Sequence, residues 1–199
     1  MILSVQQWAA VGAAVLAAGT LPSVYFAFTD PDNRTYYGIL AAITGIAATA
    51  YTMTALGIGT IPVNGANFYA PRYIDWLLTT PLLILYMTLL CKPGKRLYGM
   101  LIGLDVALIL LGTAAIFTTG TLSMLLFGAG AVAYLGLAYL LVVTLPQNAA
   151  FETDRVAIVF TKLRNVTVVL WTMYPVVWLL APVGFGLLQA NTEMLVIVY

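Results

Sequence analysis

Four side chains that could act together on a buried charge are spaced as neighbours on one predicted helix. Arg72, Asp75, Trp76 and Thr79 are three, four and seven residues apart, which places them on one helix face. The surrounding residues are apolar enough to cross a membrane, where an ionisable group indicates a functional site by default. Two interpretations stay open. Arg72 and Asp75 form a structural ion pair, or Asp75 is the counterion of a protonated ligand nitrogen.

A second stripe with the same spacing is formed by Trp171, Tyr174, Pro175 and Trp178. Such aromatic stripes are also typical of core packing and of membrane-interface belts. Pro175 lacks a backbone N–H, so it frees a carbonyl and kinks the helix. Together with Trp76, this stripe predicts a flat aromatic slot for a conjugated apolar ligand.

Three other polar residues lie in or beside apolar segments. Asp105 is interpreted as a carboxyl hydrogen-bonded to a hydroxyl or a water. Tyr51 is a candidate hydroxyl donor to the region of Asp75. Glu193 is expected to be solvated near the outer surface, where a helix N-terminus stabilises its charge.

The composition shows which elements must position these residues. Of the 199 residues, 62% are hydrophobic and 8% are charged, whereas a soluble domain carries about 25% charged residues. A cytosolic enzyme, a disordered chain and a disulfide scaffold are therefore excluded. The absence of histidine and the single cysteine argue against zinc, haem and copper sites. A net charge of +1 with scattered charges predicts no nucleic-acid partner.

Apolar runs broken by polar, proline and glycine clusters predict an all-α membrane protein with seven helices in one domain, residues 1–199. The predicted segments are about 4–28, 35–57, 70–91, 96–117, 121–145, 153–180 and 191–199 onward. The last segment begins at Asn191, and its eight following residues would span about 12 Å of a hydrocarbon core of ~30 Å. We therefore expect the natural chain to continue beyond Tyr199.

The basic residues predict the orientation in the membrane. Seven of the eight lie in or next to the loops after the first, third and fifth segments: Arg34, Lys92, Lys95, Arg96, Arg155, Lys162 and Arg164. Because basic loops stay cytoplasmic, these loops are predicted to face inward and the N-terminus outward. The eighth, Arg72, lies near the outer end of the third segment. The N-terminus has no basic region typical of a cleavable signal.

Both stripes resemble signatures of the archaeal microbial rhodopsins. Arg72-Tyr73-Ile74-Asp75-Trp76-Leu77-Leu78-Thr79-Thr80-Pro81-Leu82 is similar to their helix C signature. Trp171-Thr172-Met173-Tyr174-Pro175, followed by Trp178, is similar to their helix F signature. The resemblance covers the whole chain and is strongest to the sensory rhodopsin II (phoborhodopsin) branch, in residues 70–76, 163–167 and 195–199. The haloarchaeal middle rhodopsins fit equally well.

This resemblance implies seven helices around all-trans retinal, bound as a protonated Schiff base to a lysine of the seventh helix. It implies that Asp75 is the counterion and proton acceptor, that Arg72 tunes its charge and that Thr79 hydrogen-bonds its carboxylate. The implied retinal pocket consists of Trp76, Thr80, Leu83, Leu108, Phe127, Gly130, Tyr134, Trp171, Tyr174, Pro175 and Trp178. Lys92, Lys95 and Lys162 all lie at cytoplasmic helix ends, so the linking lysine is expected beyond Tyr199.

The residue eleven positions after Asp75 separates two functions. In the family's outward proton pumps this position carries the carboxyl that returns the proton, but here it is Tyr86. Because tyrosine holds its proton at neutral pH, proton return is expected to be slow, which favours a phototaxis-type sensor over the alternative, a light-driven outward proton pump. The resemblance implies a two-helix membrane transducer as partner, contacted through Tyr199. The lipid bilayer is the other partner, and a homo-oligomer stays open.

Overall fold

The computed structural model describes residues 4–64, 66–180 and 187. In this part of the chain there are six helices long and apolar enough to cross a membrane. They are α1 (Val5–Thr29), α2 (Arg34–Ala55), α3 (Ala70–Cys91), α4 (Lys95–Ile116), α5 (Gly120–Gln147) and α6 (Asp154–Leu180). The first six predicted segments are confirmed, and the seventh, 191–199, lies outside the described residues.

Local sequence explains where the helices begin and end. Ser4 caps α1 by accepting a hydrogen bond from the backbone of Gln7, whose side chain accepts from the Ser4 N–H in return. Pro71 stands in the first turn of α3, where its missing N–H would have no helical partner. At the other end of α3, Lys92 adopts a left-handed conformation with φ of 48°, which ends the helix.

A short antiparallel hairpin replaces the loop predicted between the second and third segments. Strands β1 (Thr60–Val63) and β2 (Ala66–Tyr69) pair with Thr60 opposite Tyr69. The amide nitrogen of Asn64 donates to the carbonyls of Ile116 (2.9 Å) and Thr118 (3.2 Å), so the hairpin is tied to the end of α4. Sequence alone missed these strands because each has four residues, one of them contains a proline, and such runs carry little alternation.

The packed core lies in the half of the bundle predicted to be cytoplasmic. Its most deeply buried members come from α3 to α6 and are at most 1% exposed: Ile84, Met87, Cys91, Leu101, Leu137, Leu141, Leu145 and Phe160. Within α5, residues Leu140–Thr144 form a π-helical turn before Pro146. This core fills that half of the bundle, and the space for the site lies between the other halves of α3 to α6.

An ion pair between Lys92 and Glu152 connects the end of α3 to the loop before α6. The hydrogen bond from Lys92 holds the pKa of the Glu152 carboxyl below its ordinary value, and Glu152 raises the pKa of Lys92. The carboxylate's contribution is therefore present above the ordinary Glu pKa and is lost as pH falls through the lowered one. The contribution of Lys92 is present below its ordinary pKa and is lost as pH rises through the raised one.

We expect Glu152→Gln to make the loop before α6 more mobile near neutral pH. The readout is hydrogen exchange at the amide of Ala150, which donates to the carbonyl of Cys91 at 2.8 Å. Both partners are exposed, so the difference from the parent protein should vanish in molar salt and below the Glu152 titration. Asp154→Asn removes another exposed carboxylate nearby and is the control. An equal change in the two variants would contradict the prediction.

Candidate functional site

A cavity of about 320 Å³ lies among α3, α4, α5 and α6. On each helix the lining residues repeat at three or four positions, so each helix turns one face to the cavity. The wall consists of Tyr73, Trp76 and Thr80 from α3, Asp105, Leu108, Ile109, Gly112 and Ile116 from α4, Phe127, Gly130, Ala131 and Tyr134 from α5, and Leu170, Trp171, Tyr174, Pro175 and Trp178 from α6. The volume and the aromatic wall are typical of a small-molecule site.

Ten of the eleven side chains that the sequence predicted for the pocket line this cavity. Leu83 is not among the lining residues, and it packs against the buried core cluster, as Leu108 and Trp171 of the lining also do. The residues that sequence reasoning missed are Tyr73, Asp105, Ile109, Gly112, Ile116, Ala131 and Leu170. Asp105, Gly112 and Ile116 lie three, four and eight positions from Leu108 on α4, so this helical spacing was the signal that could have found them.

Aromatic rings make the cavity walls flat. Phe127 of α5 stacks on Trp178 of α6, with ring centroids 3.7 Å apart and planes 9° from parallel. Trp76 of α3 meets Tyr174 of α6 edge to face at 4.8 Å. Such ring pairs stabilise an interface beyond the area that they bury. They therefore hold α6 against α3 and α5 around the cavity.

Arg72 lies beside the aromatic wall and reaches across to α6. Its guanidinium lies 4.7 Å from the Trp76 ring centroid and 5.6 Å from that of Tyr174, and Nη2 donates to the Tyr174 hydroxyl at 3.3 Å. Rings at these distances attract a cation through their negative faces. No ion pair joins Arg72 to Asp75 in the described part of the chain. The structure therefore gives no support to a direct structural pair.

Asp75 is a buried carboxylate with one unpartnered oxygen. The residue is 5% exposed, and Oδ1 has no hydrogen-bond partner among the described residues. The Thr79 hydroxyl donates to the Asp75 backbone carbonyl at 2.9 Å and interacts with the carboxylate. Tyr51 of α2 lies within electrostatic range of Arg72, Asp75 and Tyr174. Because a buried oxygen without a hydrogen bond is costly, Oδ1 is available to a cationic or hydrogen-bond-donating group.

Asp105 is the second buried carboxyl, and it lines the cavity from α4. It is 1% exposed, and the Thr80 hydroxyl donates to its Oδ2 at 2.7 Å. The prediction that Asp105 bonds to a hydroxyl is confirmed. In residues 4–64, 66–180 and 187, no three histidine, cysteine or acidic side chains come together as a metal site.

A hydroxyl bridge joins α5 to α6 at the cavity wall. The Tyr134 hydroxyl donates to the Val168 carbonyl at 3.1 Å and shares a hydrogen bond with the Thr172 hydroxyl. We expect Tyr134→Phe to lower the free energy of unfolding by about 1 kcal/mol, the net value of a hydrogen bond. Thermal denaturation in detergent checks this, with Tyr139→Phe, a 61% exposed tyrosine on the same helix, as control. Equal stability of the two variants would show that the bridge contributes nothing.

Tyr86 lies inward of the cavity, at the position where the sequence predicts no proton donor. Its ring meets the ring of Tyr36 edge to face at 5.7 Å, and Tyr36 donates to the Leu89 carbonyl at 3.3 Å. Tyr86 is therefore packed between α2 and the buried core cluster. The predicted partner contact Tyr199 and the acidic Glu193 lie outside the described residues.

The helical bundle with its aromatic cavity and buried carboxylate is that of a bacteriorhodopsin-like protein. The model of that family matches residues 3–199, and the chain belongs to this family. It is 42% identical to sensory rhodopsin-2 of Natronomonas pharaonis over 193 residues, 95% of this chain and 80% of that protein. It is 46% identical to sensory rhodopsin-2 of Halobacterium salinarum over 197 residues, 99% of this chain and 83% of that protein.

Solved structures show the same fold. Thermophilic rhodopsin from Rubrobacter xylanophilus has a TM-score of 0.89 and 37% identity, covering 98% of this chain and 88% of its own. The light-driven proton pump rhodopsin of Coccomyxa subellipsoidea has a TM-score of 0.88 and 28% identity, with the same coverage of both chains. The chain is therefore a multi-pass membrane protein of the microbial rhodopsin fold.

Proposed function

We propose that the protein is a retinal-binding photoreceptor of the sensory rhodopsin II type. The observation that carries the proposal is the unpartnered Oδ1 of buried Asp75, which is next in the chain to Trp76 of the aromatic cavity wall. The similarity to two sensory rhodopsin-2 proteins supports the sensory branch. Retinal bound as a protonated Schiff base supplies light absorption and a transferable proton.

The residues of the cavity fit such a group. Retinal is a conjugated apolar chain with one positive end, so it needs flat apolar walls and one buried negative charge. Trp76, Trp171 and Trp178 supply flat walls, and Asp75 supplies the charge. A Cβ atom built at Gly130 would lie 3.5 Å from the backbone carbonyl oxygen of Leu108, so α5 packs against α4 at this point of the wall.

The chain's own residues then control a proton at Asp75. Its ionised carboxylate balances a positive charge in the cavity, and Oδ1 is the free atom that can accept a proton. Arg72 stabilises the negative charge from the outer side, and its bond to Tyr174 keeps the guanidinium there. Tyr51 adds a hydroxyl dipole to the same group. The mostly apolar wall of the cavity provides a less polar environment than water, which strengthens these interactions.

Proton return sets the lifetime of the light-activated state. Tyr86 cannot supply a proton quickly at neutral pH, so the activated state is long-lived and a partner has time to respond. The alternative function, a light-driven outward proton pump, needs another inward donor. Asp105 is a buried carboxyl that lines the cavity, but it belongs to α4 and is bonded to Thr80. Because Asp105 does not stand at the inward donor position of α3, the pump is the second candidate.

The proposal extends to parts of the protein outside the described residues. The linking lysine lies beyond Tyr199, because Lys92, Lys95 and Lys162 all lie far from the cavity along their helices. A two-helix transducer contacts α6 and the seventh helix, with Tyr199 in the interface. The loops after α1, α3 and α5 are cytoplasmic, since they carry most of the basic residues.

The test uses the full-length protein incubated with all-trans retinal. We expect a visible absorption band that hydroxylamine bleaches under light, a slow photocycle by flash photolysis, and weak proton export from illuminated vesicles. Absence of the visible band would refute retinal binding. A millisecond photocycle with strong proton export would instead establish the pump.

A further inference from the structure

Gly12 of α1 is a point of close approach to Tyr51 of α2. A Cβ atom built at Gly12 would lie 2.6 Å from Cδ1 and 2.7 Å from Cε1 of Tyr51. Non-bonded carbon atoms normally pack at ~3.5–4.0 Å, so even a methyl group here would overlap the ring. Both contacted atoms belong to the rigid ring rather than to a flexible chain end. Any side chain at position 12 therefore requires the ring to move or the helices to separate.

The two helices are held together independently of this contact. The Thr20 hydroxyl of α1 donates to the Thr44 hydroxyl of α2 at 2.8 Å. Ala9 and Ala50 are 3% and 6% exposed, as expected where small residues allow two membrane helices to approach closely. Because these contacts oppose separation of α1 and α2, we expect the Tyr51 ring to yield.

Tyr51 also lies within electrostatic range of the charged group of the site, which consists of Arg72, Asp75 and Tyr174 on α3 and α6. Arg72 is itself bonded to the Tyr174 hydroxyl, so this group connects two helices. A displaced ring would change the position of the Tyr51 hydroxyl relative to Asp75.

We propose that Gly12 is a positioning residue that sets the Tyr51 hydroxyl toward Arg72, Asp75 and Tyr174. The role of that charged group rests on the proposed function. The close contact between Gly12 and Tyr51 does not depend on it. Gly19, seven residues further along α1, has no neighbouring atom within 4 Å of the position that a Cβ would take. An alanine at position 19 would add the same methyl group without meeting a neighbouring atom, so Gly19→Ala is the matched control.

The experiment uses the full-length protein with and without all-trans retinal. In the apoprotein, the carbon NMR signal of Tyr51 Cζ, assigned by its loss in Tyr51→Phe, reports the environment of the hydroxyl. We expect Gly12→Ala to shift this signal and Gly19→Ala to leave it in place. After retinal is added, Gly12→Ala should displace the visible absorption maximum in the same direction as Tyr51→Phe. Gly19→Ala should retain the parent maximum.

The outcomes separate this inference from the proposed function. An unshifted Tyr51 signal in Gly12→Ala overturns the inference, whatever the pigment does. A parent protein that forms no visible band overturns the proposed function, while the apoprotein signal still decides the inference. If Gly12→Ala does not fold, Gly12→Ala is combined with Tyr51→Ala, which removes the ring. Recovery of folding to the level of Tyr51→Ala supports the inference, and failure to recover overturns it.

Discussion

Asp75→Asn in the full-length protein should make the pigment lose its visible band at a pH lower by roughly two to four units. On the proposed function, the substitution removes the negative charge that balances the protonated Schiff base. Removing one partner of a buried charge pair costs about 3–5 kcal/mol, and one pH unit corresponds to about 1.36 kcal/mol. The pH at which the band is lost falls because a cation without its counterion gives up its proton more readily. A spectrophotometric pH titration of the pigment measures the shift.

Asp105→Asn is the matched control, since it makes the same change at the other buried acid of the site. An asparagine oxygen still accepts the hydrogen bond that Thr80 donates to Asp105. A neutral hydrogen bond contributes about 1 kcal/mol, so the pH at which the visible band is lost should change by less than about one unit. If Asp105→Asn produced the larger shift, Asp105 rather than Asp75 would be the counterion. Equal and small shifts would place the counterion outside both residues.

Tyr86→Asp is expected to shorten recovery of the dark state by about 100-fold or more. A positioned general acid accelerates proton transfer by roughly 10²–10⁴-fold, and position 86 in the parent protein has no carboxyl. The new acid would stand on α3, ten residues inward of Trp76 in the cavity wall. Flash photolysis of the full-length pigment measures the recovery time, and a pH electrode measures proton export from illuminated vesicles.

Tyr86→Phe distinguishes the added acid from the loss of the tyrosine. Phenylalanine keeps the ring that packs against Tyr36 and adds no proton donor, so recovery should stay within about twofold of the parent. Recovery that remains slow in Tyr86→Asp would mean that a missing carboxyl does not limit proton return. Accelerated recovery in both variants would assign the slow step to the Tyr86 hydroxyl or its packing.

Much of the fold could be predicted because a membrane-spanning helix is specified locally. About twenty apolar residues are needed for each crossing, and turns such as Lys92-Pro93-Gly94 separate the runs, so six spans were predicted nearly at their observed bounds. The candidate cavity wall was also largely predicted, because Trp171, Tyr174 and Trp178 lie on one helix face wherever that helix packs. The spacing within a helix is a property of its own backbone.

The hairpin could not be predicted from local sequence patterns. Its strands have four residues each, and Asn64 is bonded to carbonyls of Ile116 and Thr118, more than fifty positions away. Neither feature leaves a periodic pattern in the sequence. Leu83 shows the same limit, because it lies on α3 within one turn of Thr80, yet Thr80 lines the cavity while the half-buried Leu83 lies outside the lining and packs against the core cluster. Which helix lies opposite a residue decides between these two environments.

The sequence by itself determined the membrane helices, the charged face of α3 and the aromatic face of α6. Only the tertiary structure decided that Arg72 bonds to Tyr174 rather than pairing directly with Asp75, and that Oδ1 of Asp75 is left without a described partner. It also decided that the missing side chain of Gly12 makes room for Tyr51. The physical reason is that helical periodicity is encoded within about seven residues, whereas distances between side chains of different helices depend on how all the helices pack.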